Sequence, residues 1–150
     1  MVTRIPQQVR IYEMSETIVV LIDIAHPDSA KALLEKANKR YEGADLHITY
    51  VMPYGFFSYV EPFVSEESQA DAASRAKEAV EYLVTQVGCV SATRHVLRGG
   101  IGDQALAFAK SIKADVIVLN AIRKGSMLGT LGTHAAQIVR HSECDVHIVR

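Results

Sequence analysis

Apolar residues follow two alternating spacings along this chain. Short runs of consecutive apolar residues, the first at 17–23, are typical of strands that are buried on both faces of a parallel sheet. Between these runs, apolar residues recur every three or four positions, as on the inner face of a helix. The predicted strands cover residues 17–23, 45–51, 92–97, 115–120 and 145–149. The first predicted helix runs from Pro27 to a stop at Gly43, and the others cover residues 65–87, 104–112 and 134–141.

This strict alternation of strands and helices predicts the α/β class. We expect a doubly wound, Rossmann-like fold, in which five parallel strands in the order 3-2-1-4-5 carry helices on both faces. Residues 1–16 are polar, interrupted by proline and without a sustained period. We therefore predict an N-terminal tail at 1–16 and a single domain at 17–150.

Composition narrows the range of functions. The formal net charge is −1, from 16 basic and 17 acidic residues, so no basic excess is present to neutralise a nucleic acid or a membrane surface. The longest apolar run, 18–22, is too short to span a bilayer, and no signal-peptide pattern opens the chain. Cys89 and Cys144 lie far apart without a CxxC motif, which favours free thiols. Together these features predict a cytoplasmic protein with no nucleic-acid or membrane partner.

Candidate binding residues stand where the predicted strands end. Asp23 follows the first strand, Asn120 ends the fourth, and Gly132-Thr133 begins the last helix. In such sheets the ligand lies at the carboxyl ends of the strands, where the strand order reverses. Glycines and helix N-termini suit phosphate binding. Each signal also has a structural interpretation: Asp23 as a strand terminator, Gly132-Thr133 as a helix cap and Gly99-Gly100 as a tight turn.

Several common sites are disfavoured. Neither G-x-G-x-x-G nor the P-loop motif is present, which argues against nicotinamide-dependent hydride transfer and P-loop NTPases. None of the six histidines has ligand spacing with a neighbouring histidine, acid or cysteine, so we predict no metal site and structural or exposed histidines. His26 alone follows a strand close to the expected site.

Four stretches of the chain stand out together: the run 18–23, the turn at Gly99, the segment 113–119 and residues 128–150. On these residues the chain resembles the universal stress protein family, most closely at residues 128–150. There, Gly132-Thr133 followed by the ending VRHSECDVHIVR is similar to the family's "LLGS…VLRHAPCPVLVVR". The resemblance covers the whole chain except the N-terminal tail, and it implies the fold predicted above.

The family's ATP-binding members carry G-x2-G-x9-G-[S/T] after the fourth strand. Here Gly132-Thr133 supplies the final pair, Asn120 occupies the place of the first glycine, and the loop is one residue shorter. Arg123 lies near the place of the second glycine, while Gly125 and Gly129 fall at other spacings. A nucleotide-binding subgroup of the family has the same shortened loop, with arginine at the position of Arg123.

The resemblance implies an adenine-nucleotide site for ATP, with or without Mg²⁺. In that site Asp23, with Ile24 beside it, would contact the ribose or the triphosphate, and the Val51 backbone would meet adenine. Gly99 would shape the pocket wall. Gly132 and Thr133 would bind phosphates through N–H groups and a hydroxyl, and Asn120 and His134 are counted among the nucleotide-binding residues. Arg123 and Ser126 are added from their chemistry, because arginine suits bidentate contact with phosphate oxygens.

We therefore expect an ATP-binding stress or regulatory protein that acts as a homodimer. In the family the last strand, here 145–149, typically builds the dimer, and an apolar edge strand invites such pairing. Two alternatives stay open: a slow ATPase or self-phosphorylating protein, and a nucleotide-free dimerisation module. No catalytic residue is assigned.

Overall fold

The computed structural model describes residues 15–53, 66–121 and 131–150, and in these ranges strands and helices alternate. The strands are β1 (Thr17–Ile22), β2 (Asp45–Met52), β3 (Thr93–Arg98), β4 (Val116–Asn120) and β5 (Asp145–Val149). The helices are α1 (Pro27–Arg40), α2 (Glu66–Val87), α3 (Ile101–Ser111) and α4 (Thr133–His141). The α/β class predicted from the apolar spacing is confirmed.

The five strands form one parallel sheet in the order β3-β2-β1-β4-β5, which confirms the predicted topology. β1 lies at the centre, where Ile18 pairs with Leu46 of β2 on one side and with Val116 of β4 on the other. The chain leaves β1 towards β2 on one side and later returns to β4 on the other. This reversal places a crevice between the carboxyl ends of β1 and β4.

The sheet separates two hydrophobic cores, because successive side chains of a strand point to opposite faces. Ile18 and Val20 of β1 belong to the core beneath α1 and α2, which also contains Leu33 and Val84. Val19 and Leu21 belong instead to the core beneath α3 and α4, together with Ala105 and Ile138. Burial on both faces explains why β1 is apolar throughout.

The start of α3 differs from its prediction by more than any other helix start. α3 begins at Ile101, three residues before the predicted start at residue 104. A glycine near a helix start suggests a turn, but Gly102 lies inside the first turn of α3. A Cβ atom there would overlap the side chain of Gln137 on α4. The atoms that it would meet are the amide end of a flexible side chain, so Gly102 leaves room for Gln137 in its present position beside α3.

None of the helices within the described ranges combines the length and apolar character that a membrane crossing needs.

Candidate functional site

A cavity of about 460 Å³ opens at the carboxyl ends of β1, β2 and β4, beside the start of α4. Six of the residues proposed from the sequence line it: Asp23, Val51, Asn120, Gly132, Thr133 and His134. They come from four separate parts of the chain, and the sheet topology brings them together. The wall is mostly apolar, with Leu21, Ile101, Leu119 and Ala135 among its other members.

The turn after β1 carries the acidic group of the cavity. One carboxylate oxygen of Asp23 accepts a hydrogen bond of 3.0 Å from the backbone N–H of Ala25, and the backbone carbonyl of Asp23 accepts another from His26. His26 Nε2 lies 4.0 Å from the other carboxylate oxygen, and both side chains are 41% exposed. Pro27 then begins α1. The carboxylate is thus held at the cavity wall by its own turn.

The start of α4 forms the wall near β4. The N–H of Gly132 donates to the carbonyl of Ala121 at 2.9 Å, which joins the two ends of the segment that leaves β4 and returns to α4. Gly132 is the N-cap of α4, and no side chain among the described residues caps it. The first N–H groups of a helix lack partners within the helix, and its dipole makes that end positive. This end of α4 lies at the cavity, where an anion is favoured.

Asn120 lies at the end of β4, and its side-chain amide donates to the backbone carbonyl of Ser29 on α1 at 3.4 Å. A glycine at this place could not make that link. The side chain that replaces the first motif glycine therefore joins β4 to α1 at the rim of the cavity, since both Asn120 and Ser29 line it.

Sequence reasoning missed Tyr50 in this site. Tyr50 lies on β2 beside Ile22 of β1, and its ring lines the cavity. Burial raises the pKa of the Tyr50 hydroxyl, and the nearby charge of Asp23 raises it further. The phenol therefore remains protonated and can donate a hydrogen bond. The sequence could have suggested this position, because Tyr50 is a polar aromatic residue next to the end of a predicted strand.

Two proposed residues that the structure describes, Ile24 and Gly99, are not among those that line the cavity. Ile24 packs against the core beneath α1 and α2. Gly99 forms the turn between β3 and α3, where its N–H donates to Met52 at 3.1 Å, and Ile101, two residues further on, lines the cavity instead. Arg123 and Ser126 lie outside the described residues.

The chemistry of the lining residues suits a small, partly anionic ligand. Among the described lining residues none is lysine or arginine, so the polar groups that face an anion are backbone N–H groups, Thr133 and two histidines. Asp23 offers an acceptor on the opposite wall. Within the described part of the chain, no group of three or more His, Cys, Asp or Glu side chains could hold a metal ion.

Fold and cavity together define a protein of the Rossmann-like α/β class with a cavity at the switch point of its sheet. Residues 14–150 match the model of the universal stress protein family. The chain belongs to that family. It is similar to universal stress protein G of Escherichia coli O157:H7, with 24% identity over 91% of this chain and 100% of that protein.

Solved structures share the fold. The universal stress protein UspA from Lactobacillus plantarum has a TM-score of 0.71 and 26% identity, over 90% of this chain and 97% of that one. A universal stress protein in complex with cAMP has a TM-score of 0.57 and 22% identity, over 91% and 97%. The universal stress protein from Archaeoglobus fulgidus in complex with dAMP has a TM-score of 0.59 and 18% identity, over 91% and 99%.

Proposed function

We propose that this universal stress protein binds an adenine nucleotide, ATP in the first place, in the cavity between β1 and β4. The observation that carries the proposal is the position of Asp23 and of the start of α4 on the walls of one cavity. A volume of about 460 Å³ falls within the usual range of small-molecule pockets. The cAMP and dAMP complexes of the two similar proteins support the adenine-nucleotide class.

Each wall would meet a different part of the nucleotide. Asp23 would accept hydrogen bonds from the ribose hydroxyls, and the backbone of Val51, which is 2% exposed, would meet the adenine edge at the end of β2. The N–H groups at Gly132, Thr133 and His134 would bind phosphate oxygens, aided by the α4 dipole. Arg123 and Ser126 stay predicted phosphate contacts, since they lie outside the described residues.

A magnesium ion would enter with the phosphates. Asp23 is the one carboxylate among the described residues that line the cavity. Mg²⁺ prefers to keep several waters and to use one or two carboxylates together with substrate phosphates. The described residues form no separate metal cage, so the ion would be a companion of the ATP phosphates, and Asp23 would be its ligand only in a pose that brings the triphosphate, rather than the ribose, to Asp23.

Two Gly132 variants test this function. Gly132→Asp places a carboxylate beside the proposed phosphate contacts, and we expect its affinity for ATP to fall at least tenfold, a change of about 1.4 kcal/mol. Gly132→Ala is the matched control, because φ at Gly132 is −60° and an added Cβ would only make ordinary contact with the Ala121 carbonyl at 3.6 Å. Calorimetric titration with ATP and Mg²⁺ gives both affinities, and equal affinity of Gly132→Asp and wild type would contradict the proposal.

We also infer a regulatory rather than catalytic role, in which nucleotide occupancy changes contacts between copies or with partners. Among the described residues Asp23 is the one carboxylate that lines the cavity, and no group of three or more metal-ligating side chains is present, so any turnover should be slow. Steady release of phosphate from ATP that Asp23→Ala abolishes would instead favour the alternative of a slow ATPase. Purified protein without nucleotide and without a thermal shift on ATP addition would favour the nucleotide-free dimerisation module.

A further inference from the structure

A second group of ionisable side chains lies away from the cavity, near the amino ends of β2 and β3. His47 Nδ1 is 2.9 Å from His95 Nε2, and His47 Nε2 is 3.1 Å from a carboxylate oxygen of Asp45. In the sheet, His47 pairs with Thr93 and Thr49 pairs with His95, so the two histidines meet diagonally between neighbouring strands. We call Asp45, His47 and His95 the histidine relay.

The two imidazole rings meet end to end. Their centroids are 5.1 Å apart and their planes differ by 19°. This centroid separation is close to the N···N distance plus the two ring radii, so the bonded nitrogens lie nearly on the line that joins the rings. Phe108 of α3 covers the pair, with its ring centroid 4.4 Å from that of His95 and 6.2 Å from that of His47. The His47 side chain is only 14% exposed.

This geometry limits how many protons the relay can hold. A hydrogen bond between two ring nitrogens needs one N–H and one lone pair. With His47 Nε2–H donating to Asp45, His47 Nδ1 is the acceptor and His95 Nε2–H is the donor. One added proton can go to His95 Nδ1 with both bonds kept. A second added proton would sit on His47 Nδ1, where it faces the N–H of His95 and breaks the bond.

The surrounding charges do not compensate a second proton. Among the described residues, Asp45 is the acidic group that contacts the two histidine rings of the relay. From α3 the group that faces it is the apolar Phe108, while the ionisable Asp103 and Lys110 of that helix bond to Gln137 and Glu143. On β3, Arg94 pairs with Glu81 of α2, beneath the other face of the sheet. Burial lowers the pKa of His95, and the neighbouring His47 lowers it further.

We propose that the histidine relay is an acid-sensitive contact that holds the edge strand β3 against β2 and α3 and that weakens on acidification. β3 continues through Gly99 into α3, whose first residue, Ile101, lines the cavity. Loss of the contact therefore loosens the strand that leads to one wall of the ligand site. The proposed acid sensitivity of the histidine relay does not depend on which ligand the cavity binds.

The sign of the effect follows from the proton count. In the unfolded chain both histidines take up protons near pH 6.5. The folded relay takes up one proton fewer, so its contribution to stability is complete above about pH 6.5 and is lost as the pH falls below that value. A difference of one proton lowers the folding equilibrium constant about tenfold per pH unit.

Urea unfolding of the full chain between about pH 8 and about pH 5 tests the relay. His95→Gln removes one titrating ring and lets the amide oxygen accept from a protonated His47. We expect the folding constant of wild type to fall about tenfold more per pH unit below pH 6.5 than that of His95→Gln. His141→Gln, at an exposed histidine of α4, is the control and should follow wild type. Equal pH dependence of wild type and His95→Gln would overturn the proposal.

If His95→Gln does not fold, a measurement on the wild-type protein still tests the proposal. Ring-nitrogen NMR of the histidines across the same pH range should show that one relay ring becomes cationic first and that the second does so only at a clearly lower pH, together with loss of the bond between the rings. Two relay rings that both become cationic in the folded chain, with ordinary midpoints near pH 6.5, would overturn the proposal.

Discussion

At the scale of single residues, Gly99 has a structural role in a turn and is not among the residues that line the cavity. Its φ of 139° lies in the region that side chains rarely adopt, and an added Cβ would lie 2.9 Å from Gln104 Cγ. The sequence predicted both a tight turn and a pocket wall at this residue. The turn geometry accounts for the glycine, while the wall of the cavity is formed two residues later by Ile101.

Gly99→Ala should therefore cost stability and leave nucleotide affinity unchanged. Strain and the contact with Gln104 together predict a loss of about 1–3 kcal/mol in the free energy of unfolding. Gly88→Ala is a useful comparison, because its φ is also positive, at 82°, but nothing lies within 4 Å of the added Cβ. That variant should lose only about 1 kcal/mol. Denaturant unfolding measures both losses. If folded Gly99→Ala bound ATP tenfold more weakly than wild type, the result would contradict a purely structural role and support a place for Gly99 in the pocket wall.

At the scale of elements, β5 is the strand that the proposed dimer needs. Within the described chain it pairs with β4 alone and so forms an edge of the sheet. Val146 and Ile148 are partly buried against the core beneath α3 and α4, and His147 bonds to Tyr41 of α1 at 2.9 Å. Both faces of β5 are thus anchored, which leaves its outer edge as the surface for a second copy.

Val146→Lys tests this interface. Lysine on an edge strand opposes strand pairing between chains, and its aliphatic stem can still cover the apolar surface below. We expect wild type to sediment at twice the chain mass of 16.5 kDa and Val146→Lys to sediment as a monomer. Val90→Lys is the matched control at a site that is 64% exposed, and it should remain a dimer. A wild-type monomer, or a dimeric Val146→Lys, would contradict an interface at β5.

At the scale of the whole molecule, the local pattern of apolar and polar residues was enough to predict most of the fold. Because β1 is buried on both faces, its continuous apolar run already predicted a central strand between two layers of helices. The family resemblance and the strand ends then predicted six residues that line one cavity. The predicted start of α3 was wrong by three residues, since the helix begins at Ile101 and includes Gly102 in its first turn.

What the sequence could not supply were contacts that depend on register. His47 and His95 are 48 positions apart, and they meet only because β2 and β3 pair with His47 beside Thr93. A shift of one residue would turn His95 to the opposite face of the sheet. Spacing rules for metal ligands or helical pairs do not detect such a pair. Tyr50 is a different case, because the predicted strand order already placed β2 beside β1 and its position next to the strand end could have suggested it.

The central claim is that the cavity between β1 and β4 binds an adenine nucleotide. Amide NMR spectra of the ¹⁵N-labelled chain, recorded during titration with ATP and Mg²⁺, test it most directly. We predict saturable shifts that cluster at Asp23, Val51 and the start of α4, with small changes at β3 and at the amino end of the sheet. A spectrum that does not change, or shifts that cluster away from the cavity, would contradict the account.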